Sequence, residues 1–467
     1  MNNDKEKPRA EYYHSVRLAA ARCNGCTHCV RECPTEAIRV RFGKARIDPL
    51  RCVDCGTCMR VCPTRAKYAQ TDPLDAIAPF RYKVAVPSSA FLAQFKPSVS
   101  LDRVLSGLIA LGFDEVFEAA LGSEIITVAI REYLNDPSRK RPSISSLCPA
   151  VVRLIQVRFP SLVDYIIPIE APIDAAARVV KKSRSRSLGI PEEEIGVFFI
   201  SACPAKVTAV KQPVATRATY VDGAISIADV YNRLMKTLDK VTEIPGIARA
   251  SGLGLGWGAV GGENKHLGLG KRLAADGVTN VLRVLELVED EELDGYDYLE
   301  LRACTGGCVG GALTVAEPFV AEHRIAELRA DRGEKLAIEQ NREADLQYGE
   351  IMDLIKAGEF KLKSAVLPRN TLQLGTDLTE TIARMKELEE LLPQLPGIDC
   401  GTCGAPTCRA FAEDVVLGKT QVTDCTFKLR ERIQDLASEM GELSAQLPPT
   451  LKNDRSKDTD GTDEDSG

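Results

Sequence analysis

No apolar run in this sequence is long enough to span a bilayer. The nearest approach, Cys148 to Ile169, is interrupted by Arg153, Arg158 and Asp164. Neither end carries a basic cluster and the net charge is −6, so nucleic acid is not an expected partner. The opening MNNDKEKPRA is polar and lacks the apolar core of a secretory signal. The expected setting is therefore cytoplasmic and reducing, where cysteines read as metal ligands rather than disulfides. At 467 residues the chain has room for several domains and a sizeable core.

What the sequence does hold is cysteine, sixteen of them, and all sixteen can be placed in iron–sulfur ligand sets. Eight lie in two runs, Cys23, Cys26, Cys29, Cys33 and Cys52, Cys55, Cys58, Cys62, each closing on Cys-Pro. In that spacing three thiolates hold one cube and the fourth crosses to the other. This assigns Cys62 to the first set and Cys33 to the second. AIRVRFGKARIDP between the runs reads as strand, glycine turn, strand. The segment resembles bacterial two-cluster ferredoxins, while a zinc site built from CxxC pairs would leave cysteines unused.

From Lys83 the texture changes. The apolar runs KVAVPSS, SISSLCPA, IGVFFISACPAK and DYLELRACTGG alternate with helical stretches such as LDRVLSGLIALG and the one starting near Asp174. That alternation predicts an α/β core with largely parallel strands. Cys148, Cys203 and Cys304 follow the apolar runs, at the carboxyl ends of strands, where open α/β sheets place their ligands. A charged helical stretch begins near Phe319, and TETIARMKELEELL leads into a third cysteine set, Cys400, Cys403, Cys408 and Cys425. Beyond it Leu429, Ile433, Leu436, Met440, Leu443 and Leu447 form a heptad seam. It predicts either pairing of two chains as a homodimer or packing on its own domain. The tail from Pro448 is polar and Asp-rich, expected to be disordered.

The contexts Leu147-Cys148-Pro149, Cys203-Pro204-Ala205-Lys206 and Arg302-Ala303-Cys304-Thr305-Gly306-Gly307-Cys308 occur in the order of the three signature motifs of the [FeFe]-hydrogenase large subunit. GFDEVFEAALGSE is similar to the matching stretch of that family, and the resemblance runs from about Lys83 to Pro318. It implies that Cys148, Cys203, Cys304 and Cys308 hold a core [4Fe-4S] cube. Cys308 would bridge to a two-iron centre carrying CO, cyanide and a dithiolate (the H-cluster), with Lys206 donating to a cyanide. Departures are equally informative. Leu147 stands where hydrogen-evolving members have a proton-relaying cysteine, Ser201-Ala202 where the second motif opens with Met-Pro, and Arg302 where Met is expected. Ala129 and Ile130 replace acids of the proton path. Similar losses mark the sensory branch of the family.

The C-terminal set resembles the small four-cysteine [4Fe-4S] domain of redox and one-carbon complexes, with a zinc knuckle as the alternative. Gly256-Trp257-Gly258-Ala259-Val260-Gly261 fits a dinucleotide fingerprint formally, but no β-run precedes it, and a loop against the two-iron centre suits the family better.

The expected organisation is an α/β multidomain chain. A small α+β ferredoxin domain spans 12–75 and a hydrogenase-like core 83–370. A small helical [4Fe-4S] domain spans 375–441, before a tail at 448–467. The expected function is an oxygen-sensitive, slow sensory hydrogenase of anaerobic metabolism, binding and oxidising H2 and relaying electrons through its cubes. The alternatives are an iron–sulfur relay or scaffold without the two-iron centre, and an ordinary hydrogenase with a rerouted proton path. Expected partners are a redox protein such as ferredoxin, hydrogenase maturation proteins and a separate signalling protein, since no PAS, kinase or phosphatase domain is recognisable.

Overall fold

The computed structural model describes residues 12–446 apart from 217–218, 269, 341–347, 370, 372–373 and 376. The tail at 448–467 and Leu447 of the heptad seam lie outside the described residues. The chain divides into two compact units between residues 372 and 373.

The first unit opens with β1 (Val16–Leu18), β2 (Ile38–Arg41), β3 (Lys44–Ile47) and β4 (Lys67–Ala69). β2 and β3 form the expected hairpin, and β1 pairs antiparallel with β4. Phe42 and Gly43 make the turn with φ of +53° and +70°, the left-handed pair that matches strand twist. The buried apolar cluster here is small: Cys29, Val30, Ile38 and Ala45. So little core is what a metal-stapled domain shows. The expected linker after it is packed down. Leu74 and Ile77 are buried, and the Asp72 carboxylate accepts the Ala224 amide at 2.8 Å.

The core follows with β5 (Tyr82–Pro87), β6 (Glu115–Val116), β7 (Ser143–Ile144), β8 (Ile195–Ser201), β9 (Gly223–Ser226), β10 (Arg272–Asp276) and β11 (Tyr298–Arg302). Two parallel sheets result, ordered β6-β5-β8-β9 and β10-β11-β7. This bears out the mixed α/β reading. β8, IGVFFIS, is buried along its whole length, as a central strand covered on both faces must be. Helices Ala119–Leu134 and Pro172–Leu188 pack on each other, and the second lies against β8. Burying each large apolar side chain, such as Phe198 and Phe199, contributes about 1.5–3 kcal/mol. SISSLCPA is strand only at Ser143–Ile144. After that the Ser145 hydroxyl turns to Glu263, and the chain leaves the sheet so that Cys148 can start a helix.

The second unit is helical: Leu378–Leu391, Cys408–Val416 and Thr426–Ala445. Leu388, Leu391, Phe411, Ala412, Val416 and Cys425 form its core. The helix Thr426–Ala445 buries no residue. Ile433 is 57% exposed and Met440 70%, so the seam is not packed on its own unit.

Candidate metal centre

None of the sixteen cysteines is paired in a disulfide. In the ferredoxin-like segment the thiols of the two runs lie close to one another. Burial pushes the Cys29 thiol up to about 11, opposed by Lys67 and reinforced by Cys26, Cys62 and Cys23. Burial also raises Cys58, reinforced by Cys55 and Cys33. The repeat is visible in the backbone. Ala37 donates its amide to Cys33 Sγ at 3.3 Å, and Ala66 donates to Cys62 Sγ at 3.2 Å. Glu36 and Arg65, at equivalent positions, both adopt positive φ. The Lys67 ammonium is buried, has no hydrogen-bond partner among the described residues, and lies beside Cys29 and Cys58. An uncompensated buried cation costs several kcal/mol. Cubes ligated by four thiolates are anionic and would offset that charge, so the donor set and its surroundings fit [4Fe-4S] clusters.

This segment is tied to the core through Asp54, which is buried. Its Oδ1 accepts the amides of Ser15 and Val16, both at 3.0 Å, and its Oδ2 accepts the Thr208 hydroxyl at 2.8 Å. Thr208 lies on the helix Pro204–Lys211, which Cys203 caps. Arg60 Nη1 donates to the Gly310 carbonyl, and its Nη2 lies 3.7 Å from Cys304 Sγ. Arg60 also feels Cys55, so it stands between the second ferredoxin set and the core cysteines.

The four core cysteines reach one place by different local devices. Cys148 and Cys203 are each the N-cap of a helix whose first residue is proline. Proline at that position needs no amide partner, and the helix N-terminus favours a thiolate or anionic cluster. Cys304 stands two residues beyond β11, and Cys308 lies in the short turn Gly307–Gly310. Burial raises the Cys203 thiol well above its usual range, with Cys304 and Cys148 adding to it. Burial likewise raises Cys304, Arg60 opposing and Cys148 and Cys308 reinforcing. Cys308 goes the other way: burial would raise it, but Lys206 and Arg302 bring it below its usual value. Lys206 Nζ is 4.0 Å from Cys308 Sγ. The glycines are required where they stand. Gly307 has φ of +88°, and a Cβ there would meet the Val260 amide nitrogen at 2.7 Å. The glycine-rich loop thus lies directly against the cysteine turn, with Val309 donating to the Gly258 carbonyl at 3.1 Å.

Leu147 is buried, as are Ala129 and Ile130 on the helix Ala119–Leu134. The acids this stretch retains hold the glycine-rich loop. Glu118 accepts the amides of Arg249 and Ala250 at 2.6 and 2.9 Å, and Glu124 accepts the amide and hydroxyl of Ser251 at 3.0 and 2.7 Å. The Ser88 hydroxyl, just past β5, is buried with no hydrogen-bond partner among the described residues, and the next turn, Ser89–Leu92, packs on Gly307–Gly310. Leaving a buried hydroxyl unsatisfied costs about 1–3 kcal/mol. A bound acceptor there would satisfy it, which is compatible with a ligand-bearing two-iron group at this site. Ser88, Lys67, Arg60 and the buried pair Glu263 and Glu300 were not singled out from sequence. Only the last had a readable signal, the alternation of Tyr298, Glu300 and Arg302 along an otherwise apolar strand.

In the second unit Cys403, Cys408 and Cys425 border one small apolar core, and Cys400 is exposed. Hydrogen bonds from Thr402 lower the Cys400 thiol, and Asp399 accepts the Cys408 amide at 2.6 Å.

Residues 81–265 match the family model "Iron only hydrogenase large subunit, C-terminal domain". Residues 7–66 match a 4Fe-4S dicluster domain and 395–427 a putative Fe-S cluster domain. The first match contains Cys148, Cys203 and Lys206 and ends before Cys304 and Cys308. Among curated proteins, the NADP-reducing hydrogenase subunit HndD of Solidesulfovibrio fructosivorans is 27% identical over 113 residues, covering 22% of this chain and 19% of that protein. The uncharacterized protein MJ0119 of Methanocaldococcus jannaschii is 34% identical over 61 residues, covering 13% of this chain and 27% of that protein. The corrinoid/iron-sulfur protein large subunit of Moorella thermoacetica is 38% identical over 63 residues, covering 14% and 13%. The chain therefore spans about a quarter or less of the length of these relatives. A solved [FeFe]-hydrogenase HydA1 from Chlamydomonas reinhardtii superposes with a TM-score of 0.47 at 16% identity, covering 63% of this chain and 98% of that one.

Proposed function

Because this chain is an [FeFe]-hydrogenase-like protein of the iron-only hydrogenase large-subunit family, we propose that it is a slow hydrogenase of the sensory kind. The observation that carries the reading is the gathering of Cys148, Cys203, Cys304 and Cys308, from three separate stretches, with Lys206 Nζ 4.0 Å from the Cys308 sulfur. These four cysteines would hold the core cube, and Cys308 would bridge to the two-iron group. When bound, that group supplies the heterolytic cleavage of H2.

The chain's own residues do the rest. Lys206 offers a compact cationic donor to an anionic ligand, and the unpartnered Ser88 hydroxyl offers a neutral one. Leu147, Ala129 and Ile130 seal the route a proton would take, since no atom in these side chains can carry one. Proton delivery by positioned groups contributes about 10²–10⁴-fold to rate, so its loss leaves binding in place while slowing turnover. Electrons leave past Arg60 to the set around Cys55 and then to the first ferredoxin set, for a redox partner protein. The C-terminal cysteines would hold a further cube, and the exposed heptad seam would pair two chains. Assembly would require hydrogenase maturation proteins, and the output a separate signalling protein.

The replaced proton relay also favours a second reading, an iron–sulfur relay that keeps the core cube without the two-iron group. An infrared spectrum of protein produced anaerobically with the maturation enzymes separates the two. Sharp Fe–CO and Fe–CN bands that shift under H2 are the expected result. Their absence, with a control hydrogenase matured in the same host, would establish the relay instead.

A further inference from the structure

We infer that Arg302, clamped by Glu263 and Glu300, raises the reduction potential of the core cube through the Cys308 sulfur. The inference rests on Cys148, Cys203, Cys304 and Cys308 being that cube's ligands. Strand β11 alternates. Leu299 and Leu301 enter an apolar cluster, while Tyr298, Glu300 and Arg302 share the opposite face, and all of them are buried. Arg302 Nη1 lies 3.7 Å from Cys308 Sγ. Its Nε donates to Glu300 Oε1 at 3.1 Å and its Nη2 to Glu263 Oε2 at 3.1 Å. The carboxylates are held in turn. Glu263 accepts the hydroxyls of Ser145, at 2.8 Å, and of Tyr298, and Glu300 accepts the amides of Gly261 and Asn264 at 3.1 and 2.9 Å.

A guanidinium this enclosed cannot swing away from the sulfur. Burial alone would favour its neutral form, but Glu300, Cys308 and Glu263 hold it firmly charged. A methionine or leucine would fill the same place on β11 without desolvating three ions, so packing does not account for the arrangement. A charged donor on a ligating sulfur stabilises the reduced, more negative cube and raises its potential. Arg60 does the same at Cys304, also at 3.7 Å. An electron entering the core is therefore held there more tightly than it would be without these two cations, a retention that suits detection better than fast throughput.

The test is an EPR-monitored potentiometric titration of the full chain, reconstituted with iron and sulfide and without maturation enzymes, so that only cubes are present. The component missing in Cys203→Ser identifies the core cube. Arg302→Met is expected to lower the reduced-to-oxidised ratio of that component at least tenfold at fixed poise, about 59 mV for a one-electron couple. The other components should stay in place, and Arg302→Lys should retain part of the shift. Glu300→Gln, which removes a negative charge and keeps an acceptor, should move the same component upward, and it tests the inference even if Arg302→Met fails to hold the cube. A core component unmoved in both variants, or an equal shift of every component, overturns the inference alone. A wild-type chain from which Cys203→Ser removes no component overturns the ligand assignment and the inference with it.

Discussion

Leu147 concentrates the functional question at a single side chain. It is buried, and its backbone amide donates to Ser145 Oγ at 3.2 Å, so the backbone beside Cys148 is fixed whatever side chain is present. Leu147→Cys therefore places a thiol where the relay is missing without disturbing the neighbouring ligand. In matured protein it should raise H2 turnover roughly tenfold, below the ~10²–10⁴ of a full relay because Ala129 and Ile130 still interrupt the path. Unchanged turnover in a sample with intact Fe–CO bands would count against proton delivery as the limit. Cysteine spacing announces its chemistry because the ligands are neighbours. Ser145, Glu263 and Arg302 meet from stretches more than thirty residues apart, and only folding reveals that they form one network.

Elements deliver the core cysteines, and each delivery depends on a local conformation. Cys-Pro puts a cysteine at a helix N-cap, and a strand end followed by Gly306 and Gly307 brings Cys308 round to meet the others. Gly307→Ala sets a Cβ 2.7 Å from the Val260 amide at a φ of +88°, a strain of about 1–3 kcal/mol at that turn. The expected outcome is loss of the core cube by iron analysis and EPR, with the ferredoxin signals retained. Full cube occupancy would show that the loop can yield. The same elements explain why the second apolar run, SISSLCPA, is strand only at Ser143–Ile144. Pattern marks it as β-like, whereas Ser145 and Cys148 are needed elsewhere and take the chain out of the sheet after Ile144.

Across the whole molecule, the ferredoxin-like segment and the core share one compact unit through Asp54, Thr208 and Arg60, so their cysteine sets are neighbours. The C-terminal unit ends in a helix whose heptad residues Leu429, Ile433, Leu436, Met440 and Leu443 are exposed. If two copies pair through that seam, Leu436→Lys should convert a dimer to a monomer in analytical ultracentrifugation, leaving iron content unchanged. A wild-type chain that sediments as a monomer at the same concentration would sink the pairing.

The sequence by itself determined the ferredoxin-like repeat, the parallel α/β core and the identity of every cysteine worth naming, because spacing and periodicity are local properties that survive without a fold. Tertiary structure alone decided what surrounds those cysteines. It set Lys67 unpaired beside two of them, Arg60 on Cys304, Arg302 on Cys308 and the Ser88 hydroxyl past the end of β5. Charge and hydrogen bonding act through space, and the groups that supply them lie far apart along the chain.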